Sequence, residues 1–171
     1  MTAACCDARR GTRRTLGWWR SILAVWVLTL AIPVHAQAAE RLYYFWSFSM
    51  PEASLKAVLG EGEKIGLVAV LRGLPEGSAR TSLGRLKRLL GDRKTEVIID
   101  PRLFTLYGVT AVPSVVYAEG VDLSCETCEP APRHAIVTGD LPLVSALEHL
   151  AREAPSVDRY LARLREGFYE R

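Results

Sequence analysis

The chain has little of what metal and thiol chemistry require: among its 171 residues are four cysteines and three histidines. Cys5 and Cys6 lie in a leader that is expected to be removed, which leaves Cys125 and Cys128. His35 goes with the same leader, and His149 falls in a predicted core helix, where a surface or packing role is the default. A structural zinc site takes four ligands. Only His134 lies near the cysteine pair in sequence, so no metal or other cofactor is expected. Long apolar runs are missing as well. Ile22 to Ile32, broken only by Thr29 and ended by Pro33, falls short of the roughly 20 residues that a helix needs to span a bilayer. There are no internal repeats or low-complexity tracts.

The short apolar run belongs to a three-part pattern. Arg9, Arg10, Arg13, Arg14 and Arg20 form a basic head before it, and two small-x-small exits follow, Val34-His35-Ala36 and Ala36-Gln37-Ala38. Basic head, apolar middle and small-residue exit make a secretory signal peptide. Residues 1–38 are therefore assigned to a signal cleaved after Ala36 or Ala38, with ordinary Sec export as the expected route and no stable membrane span after cleavage. Thr12-Arg13-Arg14-Thr15-Leu16 only faintly matches a twin-arginine signal, because Gly17 stands where a second apolar residue is usual. The signal carries five of the 22 basic residues and one of the 19 acidic ones, so the mature chain holds 17 against 18 and a net charge of −1. That balance gives no electrostatic footprint for nucleic acid. An exported chain also meets an oxidising compartment, where Cys125 and Cys128 are able to form a disulfide.

What remains is the length of one ordinary domain. Leu42 to Phe48 is a nearly continuous apolar and aromatic run that predicts a buried strand. Ser49 and Glu52 have the spacing of a capping box, with Pro51 in the first turn of a helix whose apolar face is Leu55, Val58 and Leu59. Gly60 and Gly62 weaken the end of that helix. Gly66 to Leu71 predicts a second buried strand. A helix over Ser78 to Leu90 presents Leu83, Leu86, Leu89 and Leu90, with Arg80, Arg85, Lys87 and Arg88 on a solvated face. Val97 to Ile99 is a third strand, ended by Asp100-Pro101, and Arg102 to Tyr107 makes one or two helical turns closed by Gly108. Val115 to Tyr117 and His134 to Val137 predict an antiparallel hairpin with a long loop. Asp140 is placed to cap a last helix, with Leu143, Leu147 and Leu150 on its buried face. An amphipathic stretch over 155–171 carries Val157, Leu161, Leu164 and Phe168 on one side. It is read as packing back on its own domain, with docking to a partner as the alternative. Strand-helix alternation followed by a hairpin makes the class α/β, a central mixed sheet flanked by helices.

The order of elements resembles thioredoxin with an extra N-terminal strand and helix. Tyr107-Gly108-Val109-Thr110-Ala111-Val112-Pro113-Ser114-Val115 is similar to the loop by which that family enters a strand through a cis-proline. The resemblance implies a cis Val112–Pro113 bond, and only prolyl bonds have a cis form cheap enough for routine use. In thioredoxins this loop faces a Cys-x-x-Cys at the start of a helix, where the helix N-terminus lowers the thiol pKa. The matching stretch here is Ser49-Met50-Pro51-Glu52, and neither a hydroxyl nor a carboxylate exchanges disulfides. Ser47-Phe48-Ser49-Met50-Pro51, Leu71-Arg72-Gly73-Leu74, Ile99-Asp100-Pro101-Arg102-Leu103-Phe104 and Val112-Pro113 occur together in that order. As a set, covering about Tyr43 to Leu150, they resemble the TrbC family of F-type conjugative pilus assembly proteins. The resemblance implies a periplasmic, redox-inactive, thioredoxin-like assembly factor of a type IV secretion system. It also implies a TraW-like periplasmic partner, with other envelope components of the machine.

Candidate sites follow from that frame. Ser49, Met50, Pro51, Glu52, Arg72, Gly73, Val112 and Pro113 form the vacated thioredoxin site, expected to bind protein rather than to catalyse. The bland alternative is that Ser49 and Glu52 cap a helix, Pro113 shapes a turn and Arg72 serves a structural ion pair. Cys125 and Cys128 fall in the hairpin loop, away from any helix N-terminus that would activate a thiol. A disulfide clamping that loop is the expectation. The competing reading is a thiol-disulfide oxidoreductase or isomerase that uses the same two cysteines.

Overall fold

The computed structural model describes residues 38–75, 79–122 and 124–169, with the side chains of 38 and 167–169 left aside. The signal assigned to 1–38 lies outside the described residues except for Ala38, which opens the first strand. In chain order the elements are β1 (Ala38–Trp46), α1 (Glu52–Ile65), β2 (Val68–Leu71), α2 (Ala79–Leu90), β3 (Glu96–Ile99), α3 (Pro101–Leu106), β4 (Ser114–Asp122), β5 (Arg133–Thr138) and α4 (Leu143–Glu153). A 3-10 turn at Pro155–Val157 then leads into α5 (Asp158–Tyr169).

The five strands form one sheet in the order β3-β2-β1-β4-β5. β1, β2 and β3 run parallel, while β4 is antiparallel to β1 and β5 is antiparallel to β4. The sheet is mixed, its central strand feeds a helix, and its hairpin is entered through a cis Val112–Pro113 bond. This is the thioredoxin-like α/β arrangement. The added strand stands elsewhere than expected: β3, reached through α2, takes the outer place beside β2, while β1 is the centre of the sheet. β1 also starts four residues before the predicted run. Its first turn of sequence, Ala38-Ala39-Glu40-Arg41, has poor strand propensity, and pairing with Val121 and Asp122 draws it into the sheet.

Alternation along β1 divides the core into two layers, because successive side chains point to opposite faces. Leu42, Tyr44 and Trp46 face α1, α2, α4 and α5, in a cluster with Leu55, Leu59 and Leu89. Tyr43 and Phe45 face the short α3 with Leu103, Phe104 and Tyr107. Phe45 and Phe104 meet edge to face, with ring centroids 4.7 Å apart. The C-terminal stretch packs back on its own domain. Val157, Tyr160, Leu161 and Leu164 are buried in the larger layer.

Three local expectations are corrected. No capping box forms: α1 begins at Glu52 behind Pro51, without a side-chain cap, because the Ser49 hydroxyl turns back to that of Ser47 at 2.5 Å. Asp140 does not cap α4 either, which starts behind Pro142 with no side-chain cap. Leu83 does not share the buried face of α2; it is 50% exposed, and Ser82 takes the inward position with Leu86 and Leu89. The close of α1 is a Schellman turn, in which Gly66 adopts φ 72° and the Leu67 N–H donates to the Gly62 carbonyl at 2.9 Å.

Candidate functional site

Strands β1 and β2 both end at the same edge of the sheet, at Trp46 and Leu71, and the chain that follows each of them opens a groove there. Carboxyl ends of parallel strands are where open α/β sheets usually receive ligands. The groove has a volume of about 740 Å³, within the roughly 300–1,000 Å³ common for binding pockets. One wall is the β1–α1 loop with Ser47, Phe48 and Ser49, and another is the post-β2 loop with Arg72, Gly73 and Leu74. Phe104 of α3, Arg85 of α2 and the loop Thr110 to Val112 close it.

Each wall is held by bonds that the sequence encodes locally. Asp100 caps α3, its carboxylate accepting the Arg102 N–H at 2.8 Å. The Arg102 guanidinium grips the same carboxylate at 2.8 Å and 3.1 Å. Hydrogen bonding by Arg102 holds the Asp100 carboxyl below the usual carboxylate range. The Asp100 N–H also donates to the Leu71 carbonyl at 3.0 Å, which fastens the start of α3 to the end of β2. Phe104 is thereby set beneath Arg72, whose guanidinium lies over the ring at 4.9 Å from its centroid. The proline loop is fixed from the other side. The Ser114 hydroxyl donates to the Ala111 carbonyl at 2.7 Å, so the Thr138 hydroxyl is the donor in their 2.8 Å contact. The Gly139 N–H donates to the Pro113 carbonyl at 2.9 Å.

Of the residues assigned to the vacated site, Ser49, Arg72, Gly73 and Val112 line this groove. Met50 turns instead into the larger core layer, Pro51 and Glu52 are exposed at the head of α1, and Pro113 is half-buried behind Val112. Arg72 makes no ion pair with a described residue; its partner is an aromatic face. Sequence reasoning passed over Phe48, Phe104 and Arg85. The expectation that Arg85 belongs to a solvated basic face is corrected: its guanidinium lies 5.4 Å from the centroid of the Phe48 ring. The signal was present in part, since Phe48 and Phe104 both stand inside the motifs that carry the family resemblance.

Cys125 and Cys128 are joined in a disulfide, with Cα atoms 5.4 Å apart. They belong to the opposite end of the sheet, because β4 runs antiparallel to β1 and Asp122 pairs with Ala38. The length of β1, at about 3.3 Å per residue, puts roughly 25 Å between that end and the groove. Glu126, inside the disulfide loop, is tied to Arg41 of β1 at 3.2 Å, and Arg41 also reaches Glu96 at 3.1 Å. The His134 ring sits edge-on to Tyr107 at 5.1 Å. Its Nδ1 donates to the Pro132 carbonyl at 2.9 Å.

The sequence model of the type-F conjugative transfer system pilin assembly protein matches residues 44–150. Periplasmic protein TrbC of Escherichia coli (strain K12) is 37% identical over 111 residues, which cover 63% of this chain and 46% of that protein. The chain thus spans about half the length of the curated relative it matches. That name puts the relative in the periplasm, the compartment this chain shares. Among solved structures, MTB dsbF in its mixed oxidized and reduced forms is similar with a TM-score of 0.43 at 13% identity, over 75% of this chain and 81% of that one. With 44–150 taking in both walls of the groove and the loop before β4, the chain belongs to the TrbC family of type-F conjugative transfer system pilin assembly proteins.

Proposed function

We propose that the protein is a periplasmic assembly factor of an F-type conjugative type IV secretion system, needed for pilus assembly and acting by protein–protein interaction rather than by catalysis. Its partner is a TraW-like periplasmic pilus assembly protein, held together with other envelope components of the machine. The observation that supports this reading is the pairing of an open apolar groove with the wrong chemistry for exchange. Serine and glutamate stand where a dithiol would be, and the only cysteine pair among the described residues closes a loop at the far end of the sheet. An extended partner segment is the natural occupant of such a groove.

The competing oxidoreductase would need Cys125 and Cys128. Converting both to serine separates the two readings. The expected outcome is near-normal pilus formation and conjugative transfer, with a stability loss of about 2 kcal/mol or less for opening so short a covalent loop. A groove filled by Gly73→Trp, where a side chain enters open space, is expected to cut transfer at unchanged protein level. Abolished transfer in the double serine variant at normal protein level, or insulin reduction by the purified mature chain, would favour the enzyme.

A further inference from the structure

The groove has a charge that its apolar lining conceals. Arg72 and Arg85 stand on separate walls, each stacked on an aromatic ring, at 4.9 Å from the centroid of Phe104 and 5.4 Å from that of Phe48. Among the described residues no carboxylate pairs with either guanidinium, and no acidic side chain lines the groove. Other described arginines, Arg80, Arg88 and Arg133 among them, also lack an acidic partner; what sets Arg72 and Arg85 apart is that each lies over an aromatic ring in the wall of one groove. Arg41, Arg102, Arg159 and Arg165 are all paired with acids, and the mature chain as a whole is slightly acidic. Stacking over a ring fixes the plane of a guanidinium and leaves its N–H edge free. Two such edges over an apolar floor of Trp46, Leu71 and Leu74 match a carboxylate flanked by large apolar side chains. Fork-shaped donors give a carboxylate two parallel hydrogen bonds, and a dry floor strengthens them.

Resting on the proposal that the groove binds a partner protein, we infer that its ligand is an extended apolar segment carrying an aspartate or glutamate, clamped between Arg72 and Arg85. The aromatic floor takes the flanking apolar side chains, and the two arginines read the acid. Specificity against neutral and basic segments follows from the guanidinium pair, which a lysine or arginine in the ligand would meet as like charge.

The test is selection of random heptapeptides on the immobilised mature chain, run in parallel on Arg72→Gln with Arg85→Gln, on Arg72→Glu with Arg85→Glu, and on Gly73→Trp. Thermal melts check that each variant is folded. The expected result is enrichment of Asp or Glu beside aromatic and aliphatic residues. A selected peptide should lose about tenfold in affinity for each guanidinium removed, and its binding should weaken as salt is raised. The double glutamate variant should select basic peptides instead. Peptides that depend on an open groove but carry no acid would overturn the charge assignment and leave the groove as a binding site. Absence of any enriched peptide, or peptides indifferent to Gly73→Trp, would overturn both.

Discussion

At the scale of single residues, Asp100 joins the fold to the groove. Its carboxylate caps α3, and its N–H binds the end of β2. Asp100→Ala is expected to cost about 1 kcal/mol, the usual value of a lost N-cap, and Asp100→Asn to recover most of it, because asparagine caps equally well. Thermal melts of the two variants check this. Two glycines make a second, opposed pair. A Cβ on Gly62 would come within 2.7 Å and 2.9 Å of the Leu67 side chain, which is buried. Gly62→Ala is therefore expected to lose about 1–3 kcal/mol to overpacking, outweighing its gain in helix propensity. Gly84 lies in α2 with only the tip of Arg88 nearby, at 3.8 Å. Gly84→Ala should stabilise by roughly 0.5–1 kcal/mol. Urea titrations of both would read opposite signs. Composition treats these glycines alike, since what separates them is the approach of Leu67 across the Schellman turn.

At the scale of elements, α5 shows what periodicity can and cannot tell. The expected stripe runs from Val157, in the turn before α5, through Leu161 and Leu164, all buried as a stripe should be, while the Phe168 side chain lies outside the described residues. The expectation that it packs on its own domain rather than on a partner is met by its burial in the larger core layer, although an apolar face by itself states only that it will be covered. Leu164, fully buried in the larger core layer, is expected to cost 2–5 kcal/mol when cut to alanine. Loss of soluble mature protein, or a melt lowered by many degrees, would show it; an unchanged melt would mean that α5 is not part of the core. Strands were legible where both faces are buried, as in β2. They were least so at the start of β1, whose residues prefer other states and are recruited by β4. Helix starts failed for a related reason: Ser49 and Asp140 have cap chemistry, but prolines at 51 and 142 stand at the N-cap positions instead.

For the whole molecule, the family match at 44–150 is narrower than the body that must fold. Ala38 and Ala39, which pair with Asp122 and Val121, lie outside it, as do the buried residues of α5. The site was legible to the extent that motifs named it: Arg72, Gly73, Ser49 and Val112 meet, whereas Arg85 comes from a helix whose facing no motif declares. The interior also sets a pH limit. Burial holds the Tyr43 and Tyr117 phenols well above their ordinary pKa and raises that of Tyr107, and burial with nearby Asp140 pushes Tyr44 up to about 12. A phenol that binds its proton more tightly when folded contributes fully below the unfolded pKa of about 10 and less above it. Stability should hold to about pH 10 and then fall toward pH 12, by up to about 1.4 kcal/mol per pH unit for each such tyrosine. Melts across that range, with most phenolate absorbance appearing together with unfolding, check it; most of that absorbance appearing in a still-folded protein would refute it.

The disulfide loop and the groove occupy opposite poles of the sheet, with the central strand running from one to the other. On the proposed function, opening or closing the Cys125–Cys128 bond changes a clasp at the end of the sheet away from the groove walls, so a shift in the redox state of the surroundings is expected to leave groove binding as it was.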